Sequence, residues 1–241
     1  MDFNSTIIAN DILTKTNNVP MCIKPLFPKH FKTEEIYHLF KSCYFEINKE
    51  PFIETEESKN FVFSLIFYFQ NSERFFDSPL LHKLPNTKNS LNKGLLIVGG
   101  FGTGKSSCLK TFQHLLNSKC ESQIKLIFQT AIDVVNNFET TPQEEIMDFH
   151  NRHSKGFRVF DDLKGEKMAS RFGKSEIFQD ILFKRFENDK ILTIILCNYA
   201  EDSPNDIEGA IDEFNRYSGR VLDRIYGKFN IIELKGKSFR R

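Results

Sequence analysis

The sequence predicts an alternating α/β fold, a parallel five-stranded sheet with helices on both faces. Three observations predict it. Apolar runs recur at residues 95–98, 124–128, 157–160, 191–196 and 231–234. Amphipathic stretches with helical spacing lie between them, and a Gly-rich turn follows the first run. Parallel strands are covered on both faces, so they read as continuous apolar runs. Strand and helix in alternation feed such a sheet.

Residues 1–30 are polar and carry Pro20, Pro25 and Pro28, which predicts loose order. A helix begins near Thr33, because Ile36, Leu39, Phe40, Cys43 and Ile47 share one helical face. Residues 61–69, "FVFSLIFYF", fit a buried helix or a strand. A helix continuing towards Phe76 is the expectation. Residues 78–94 read as a loop rich in Asn, Pro and Ser.

From Gly94 the alternation starts. Residues 106–116 form a helix that buries Leu109, Phe112, Leu115 and Leu116. Residues 131–138 begin another. Thr141-Pro142-Gln143-Glu144 reads as a capping box that opens a helix towards Asn151. Residues 175–188 bury Ile177, Phe178, Ile181, Leu182 and Phe186. Residues 207–229 are helical with a break at Ser218-Gly219. Arg158 interrupts the third apolar run, which predicts an edge-like face on that strand.

The bulk numbers exclude several classes. The chain has 241 residues, enough for one large domain or one with a small appendage. Hydrophobic residues make up 40% and charged residues 27%, as in a globular protein. The net charge of +1 argues against a polycation that coats nucleic acid. A local patch is available instead: Lys228, Lys235, Lys237, Arg240 and Arg241 face only Glu233 over residues 228–241. It reads equally as a solvated basic terminus. The cysteines at 22, 43, 108, 120 and 197 have no Cys-x-x-Cys spacing, which argues against a zinc site or redox dithiol. Their scatter suits reduced thiols in a cytoplasmic compartment. The start "MDFNSTIIANDILTK" does not read as a secretory signal, and residues 61–69 are too short to span a bilayer, so no membrane association is expected.

The motif that carries chemistry is Gly99-x4-Gly104-Lys105-Ser106, between an apolar strand and an amphipathic helix. It fits the phosphate loop of nucleotide-binding proteins at every fixed position. Residues Gly99, Gly100, Phe101, Gly102, Thr103, Gly104, Lys105, Ser106 and Ser107 would form the ATP/ADP phosphate cradle. Glycines let the backbone curl and turn N–H groups inward, and the helix N-terminus adds its dipole. Lys105 reaches the β and γ phosphates, and Ser106 offers its hydroxyl to Mg²⁺. Asp161-Asp162 ends the 157–160 strand. Asp161 would hold the metal, and Asp162 would polarise the attacking water. An Asx turn is the structural alternative. Asn198, at the tip of the 191–196 strand, can sense the γ-phosphate or simply make a turn. Arg216, Arg220 and Arg224 at spacing four would share a helix face, either solvated or reaching a neighbouring subunit's nucleotide.

Taken in order, GGFGTGKSS, IFQTAIDVV, FRVFDDLKGE, ILCNY, RVLDRIYGKF and ELKGKSFR resemble the AAA+ ATPases. More narrowly they resemble the DnaC-type helicase loaders and the IstB-type transposition helpers, over about residues 90–241. The resemblance implies a P-loop AAA+ domain at 91–241 behind a small, mainly helical region at 1–90 that could dock a partner. It implies that Gly99, Gly104, Lys105 and Ser106 form Walker A, and Asp161 and Asp162 Walker B. Asn198 would be sensor 1, Arg224 the arginine finger with Arg220 as the alternative, and Arg240 sensor 2. It implies ATP and Mg²⁺ as cofactors, self-association through the nucleotide site, contact with single-stranded or duplex DNA, and a helicase or transposase partner.

Three positions depart from the pattern, one of them Ser218-Gly219, which replaces the usual order of Gly then another residue. Asp162 stands where most AAA+ proteins have Glu, and a shorter carboxylate implies slow hydrolysis. Lys164 precedes Gly165 where the loaders usually have Gly directly after Asp-Asp-Leu. Two other readings compete with an ATPase loader. One is a small-molecule phosphotransferase, against which the chain shows no distinct lid insertion. The other is an interaction module that holds ATP without turnover.

Overall fold

The computed structural model describes residues 26–28, 30–83, 87–120, 125–171 and 173–239. The helices are α1 (Thr33–Asn48), α2 (Glu56–Phe69), α3 (Lys105–Ser118), α4 (Ala131–Thr140), α5 (Ile146–His153), α6 (Ile177–Phe186), α7 (Ile207–Asp212) and α8 (Gly219–Lys228). The strands are β1 (Leu81–His82), β2 (Gly94–Gly99), β3 (Leu126–Thr130), β4 (Phe157–Asp161), β5 (Ala169–Ser170), β6 (Lys174–Ser175), β7 (Thr193–Cys197) and β8 (Phe229–Leu234). The main sheet runs β1-β8-β2-β7-β4-β3, and β5 and β6 form a separate antiparallel pair. None of the described helices is long and apolar enough to cross a membrane.

The five parallel strands are those the apolar runs mark, but the sheet has six strands rather than five. The sixth, β1, comes from the stretch read as loop. Leu81 pairs antiparallel with Ile232, and Glu233 N–H donates to the Leu80 carbonyl at 2.9 Å. A two-residue strand is too short to show periodicity, so only tertiary pairing reveals it.

Side chains alternate across each strand, so the sheet divides the interior into two cores. Leu95 and Ile97 of β2 face α1, α2 and α3, whereas Leu96 and Val98 face α4, α6, α7 and α8. The phenylalanine excess concentrates on the first face. Phe112 of α3 packs on Phe40 of α1 at 5.0 Å between ring centroids and on Phe69 of α2 at 5.4 Å.

Several local expectations are corrected. Leu26 and Phe27 are buried, and the Leu26 N–H donates to the Phe69 carbonyl at 2.8 Å, so order begins before residue 30. The earlier part of that stretch, residues 1–25, lies outside the described residues. Helix α2 stops at Phe69, because Asn71 turns left-handed at φ 56° and Ser72 caps a separate 3-10 turn, Glu73–Asp77. The Thr141 hydroxyl closes the preceding helix by donating to the Asn137 carbonyl at 2.5 Å. No capping box forms there, and Pro142 leads into a 3-10 turn ahead of α5. Arg158 does not mark an edge. Its strand β4 lies between β3 and β7, and its buried guanidinium donates to Gln129 Oε1 and the Arg152 carbonyl, both at 2.5 Å.

A second buried arginine anchors the strands that carry the site. Arg185 of α6 donates to the carbonyls of His153, Gly156 and Leu192 and to Thr193 Oγ1. It thereby fixes the starts of β4 and β7, whose other ends carry Asp161 and Asn198. Burial pulls its pKa down to about 9.

His153, beside it, is buried, with Nδ1 donating to the Phe149 carbonyl at 2.8 Å and Nε2 without a partner among the described residues. Burial pulls its pKa down from 6.5 to about 4. The unfolded chain therefore takes up a proton near pH 6.5 that the folded chain refuses until about pH 4. Stability is full above the first value and falls as the pH drops, by up to about 3 kcal/mol. Urea unfolding at pH 7 and pH 4.5 should show this loss, and His153→Gln should remove most of it.

Candidate functional site

The site forms at the C-terminal edge of the parallel strands, where α/β sheets open a crevice. Strand β2 ends at Gly99, and residues 100–104 turn into α3. Gly99 is required by close approach, since a Cβ there would lie 2.5 Å from the Leu234 carbonyl of β8. Gly104 is required by conformation, with φ 86° at the N-cap of α3. That cap makes no side-chain hydrogen bond, so the first-turn N–H groups of a 14-residue helix remain available. Within the loop, Thr103 Oγ1 donates to the Gly100 carbonyl at 2.9 Å. The Phe239 N–H donates to the Gly102 carbonyl at 3.0 Å and brings the chain's C-terminal segment over the loop.

The structure brings the dispersed candidates together. The buried Lys105 ammonium donates to the carbonyls of Gly99 and Gly100 at 2.6 and 2.8 Å, and to Asn198 Oδ1 at 3.0 Å. Asn198 Nδ2 donates to Asp162 Oδ1 at 2.7 Å. Ser106 Oγ donates to Asp161 Oδ1 at 2.8 Å. These groups line a cleft of about 640 Å³, together with Phe101, Gly102, Thr103, Gly104 and Ser107. Gly100 stands at the turn between Gly99 and this lining. Phe101 is 61% exposed.

Burial pushes the Asp161 carboxyl above its ordinary pKa, against the Ser106 hydroxyl, which favours the ionised form. The Ser106 and Asp161 oxygens fit a small hard cation. A hydroxyl and a carboxylate are the oxygen donors Mg²⁺ takes, and Ser106 and Asp161 would hold it there.

Sequence reasoning missed one wall. Tyr44, Asn48 and Glu50, from α1 and just beyond it, line the cleft beside Ser107. The apolar periodicity of α1 marks its buried face and carries no signal for these polar neighbours. Thr130 and Asp133, at the β3–α4 junction, line it as well.

The arginines do not form one stripe. Arg216 lies in the 3-10 turn Glu213–Arg216, where it pairs with Glu166 and Glu176. Arg220 and Arg224 lie on α8, after the break at Ser218, and neither lines the cleft of its own chain. Arg224 rests over the Phe183 ring at 5.6 Å. Arg240 lies outside the described residues.

The loop after β4 is backbone-strained. Asp162 and Lys164 adopt left-handed φ values of 57° and 79°. Each costs a non-glycine residue on the order of 1 kcal/mol. The Lys164 ammonium turns inward to the Asn198 carbonyl at 3.1 Å and the Ala210 carbonyl at 2.8 Å.

No protein-family profile and no curated protein matches the chain. Among solved structures it is similar to the DnaC helicase loader, at 19% identity and a TM-score of 0.50, over 76% of this chain and 93% of that one. The chain has the fold of the DnaC helicase loader. It is also similar to DnaI, at 19% identity and a TM-score of 0.48 over 78% of this chain and 90% of that one. AMPPCP-bound DnaA from Aquifex aeolicus follows at 18% identity and a TM-score of 0.41, over 62% and 42%. The α/β fold expected from the motifs is met, with the sheet and helices arranged as in the DnaC helicase loader.

That architecture makes a sharp demand at the loop. Gly99→Ala forces a methyl against the Leu234 carbonyl and should lower stability by about 1–3 kcal/mol in urea unfolding. A Cβ at Gly100 would meet only Thr103 Cγ2, at 3.7 Å. Gly100→Ala should therefore leave stability within about 0.5 kcal/mol.

Proposed function

We propose that the chain binds ATP with Mg²⁺ in this cleft, hydrolyses it slowly, and uses the nucleotide to control self-association and the delivery of a replication or transposition protein on DNA. The observation that carries this reading is the continuous polar set Lys105–Asn198–Asp162 beside Ser106–Asp161 at an uncapped helix N-terminus. The loop's N–H groups and Lys105 would bind the phosphates, with Lys105 turning from the loop's own carbonyls. Ser106 and Asp161 would hold Mg²⁺, which supplies charge neutralisation at the phosphate oxygens. Asp162 would orient the attacking water and accept its proton, and Asn198 would fix Asp162 relative to Lys105. Arg224, or Arg220, would reach the nucleotide of a neighbouring copy, and Arg240 would act within its own chain. A helicase is the partner class that the likeness to a helicase loader supports, and a transposase the one that the motifs' resemblance to transposition helpers supports.

A second reading has its own support. Asp162 is short, held left-handed and already hydrogen-bonded to Asn198, an arrangement that also suits a module binding ATP without turnover. A phosphotransferase is disfavoured, because no arginine lines the cleft among the described residues.

Variants separate these readings. Lys105→Ala should abolish binding of a fluorescent ATP analogue, while Asp161→Asn should keep binding and lower phosphate release by about 100-fold or more. Wild-type turnover equal to the Asp161→Asn background favours the silent module. Single-stranded DNA binding, measured with and without a non-hydrolysable analogue, tests the loader reading. Absence of both DNA binding and self-association in either state removes it.

Arg224→Ala should spare ATP binding and reduce turnover only at protein concentrations where the chain self-associates. Full-rate turnover in the associated variant shows that Arg224 is not the finger.

A further inference from the structure

Lys164 joins more of the site's surroundings than any role assigned above requires. Glycine adopts its left-handed backbone freely, yet a lysine stands there, at φ 79°. Only 8% of its side chain is exposed, and its ammonium makes three bonds, matching its three donors. They run to the Asn198 carbonyl at 3.1 Å, the Ala210 carbonyl at 2.8 Å and Glu213 Oε2 at 2.5 Å. Its backbone is engaged as well. The Lys164 N–H donates to Tyr217 Oη at 3.0 Å, and its carbonyl accepts from Arg216 Nη1 at 2.6 Å.

The two ends of this hub differ in kind. On one side is Asn198, whose side chain touches Lys105 and Asp162 in the cleft and whose carbonyl Lys164 holds from behind. On the other is the arm formed by α7, the 3-10 turn and α8, which carries Arg220 and Arg224. No other side chain among the described residues bonds both the Asn198 carbonyl and this arm.

We propose that Lys164 is a positioning residue that couples Asn198, at the phosphate end of the cleft, to the arginine-bearing arm through its bonds to Ala210 and Glu213. The proposal rests on the nucleotide reading above and adds a route by which the cleft acts on the arm. A shift of Asn198 towards or away from a bound phosphate moves the carbonyl that Lys164 holds. The same ammonium grips the end of α7 and the start of the 3-10 turn, so the arm follows. The turn ends at Tyr217, and Ser218 caps α8 through the Val221 N–H, so displacement there reorients Arg220 and Arg224.

Lys164→Gly tests this, because glycine keeps the left-handed turn while removing the three ammonium bonds. Hydrogen–deuterium exchange is measured with and without a non-hydrolysable ATP analogue, alongside steady-state turnover. In the wild type, nucleotide should slow exchange in the phosphate loop and alter it across residues 207–228. In Lys164→Gly the loop should still respond and the arm should not. The ATP affinity should stay within about twofold, and kcat should fall about 10-fold. Glu213→Gln, at a half-exposed position, should weaken the arm's response, and the double variant should be no worse than Lys164→Gly alone. An arm that responds equally in wild type and Lys164→Gly overturns the coupling and leaves the nucleotide reading intact. Joint loss of ATP binding and turnover in Lys164→Gly reduces Lys164 to a structural part and also overturns it. A wild-type loop indifferent to nucleotide overturns the nucleotide reading and this proposal with it.

Discussion

The arrangement of the cleft depends on one side-chain amide. Asn198 accepts from the Lys105 ammonium and donates to the Asp162 carboxylate. The two partners have opposite polarity, so they fix which way the amide points. The amide can stand between them only because β7 lies between β2 and β4 in the sheet. β2 delivers the Gly-rich loop, β4 delivers the two aspartates, and the strand between supplies the link. Val98 is in register with Cys197, and Phe160 with Ile195, so the three tips end at nearly the same height. Backbone pairing thus sets the side-chain distances, and Arg185 secures the far ends of two of these strands.

The loop also needs its helix held still, and the aromatic core does this. Phe112 of α3 is clamped between Phe40 and Phe69, from two helices that precede the sheet in sequence. Phe40 and Tyr44 lie one turn apart on α1. The packing that seats α3 therefore also places Tyr44 and Asn48 in the cleft wall. This gives the phenylalanine excess a structural purpose that composition alone did not reveal. A rotation of α1 would disturb the core and the wall together.

Much of this was legible in the sequence, for identifiable reasons. The parallel strands were visible because burial on both faces leaves runs such as residues 95–98 and 191–196 almost wholly apolar. The Gly-rich loop was visible because close approach at Gly99 and a left-handed turn at Gly104 exclude other residues. The Asp161-Asp162 pair and Asn198 followed from their positions at strand ends. What stayed hidden depends on contacts between distant segments. β1 exists only by pairing with β8. Arg158 reads as an interruption until Gln129 and the Arg152 carbonyl are seen to satisfy it. Thr141 has the spacing of a cap, but the Asn137 carbonyl one turn back claims its hydroxyl. Local signals fail where a polar group has a choice of partners and the tertiary fold decides.

The loop between Asp161 and Gly165 shows the same competition in backbone form. Local preference would place glycine at any left-handed position, and Gly165 stands adjacent, yet Asp162 and Lys164 take those conformations. Their side chains explain why. A glycine at 162 would leave the Asn198 amide without its acceptor, and one at 164 would leave the Ala210 carbonyl and Glu213 without the ammonium between them. The left-handed turns send these two neighbouring side chains to opposite sides of Asn198, one to its amide and one to its carbonyl. An extended or helical loop would aim them elsewhere. The strain is therefore the geometric condition for gripping one residue from both sides, its amide from the cleft and its carbonyl from the segment behind.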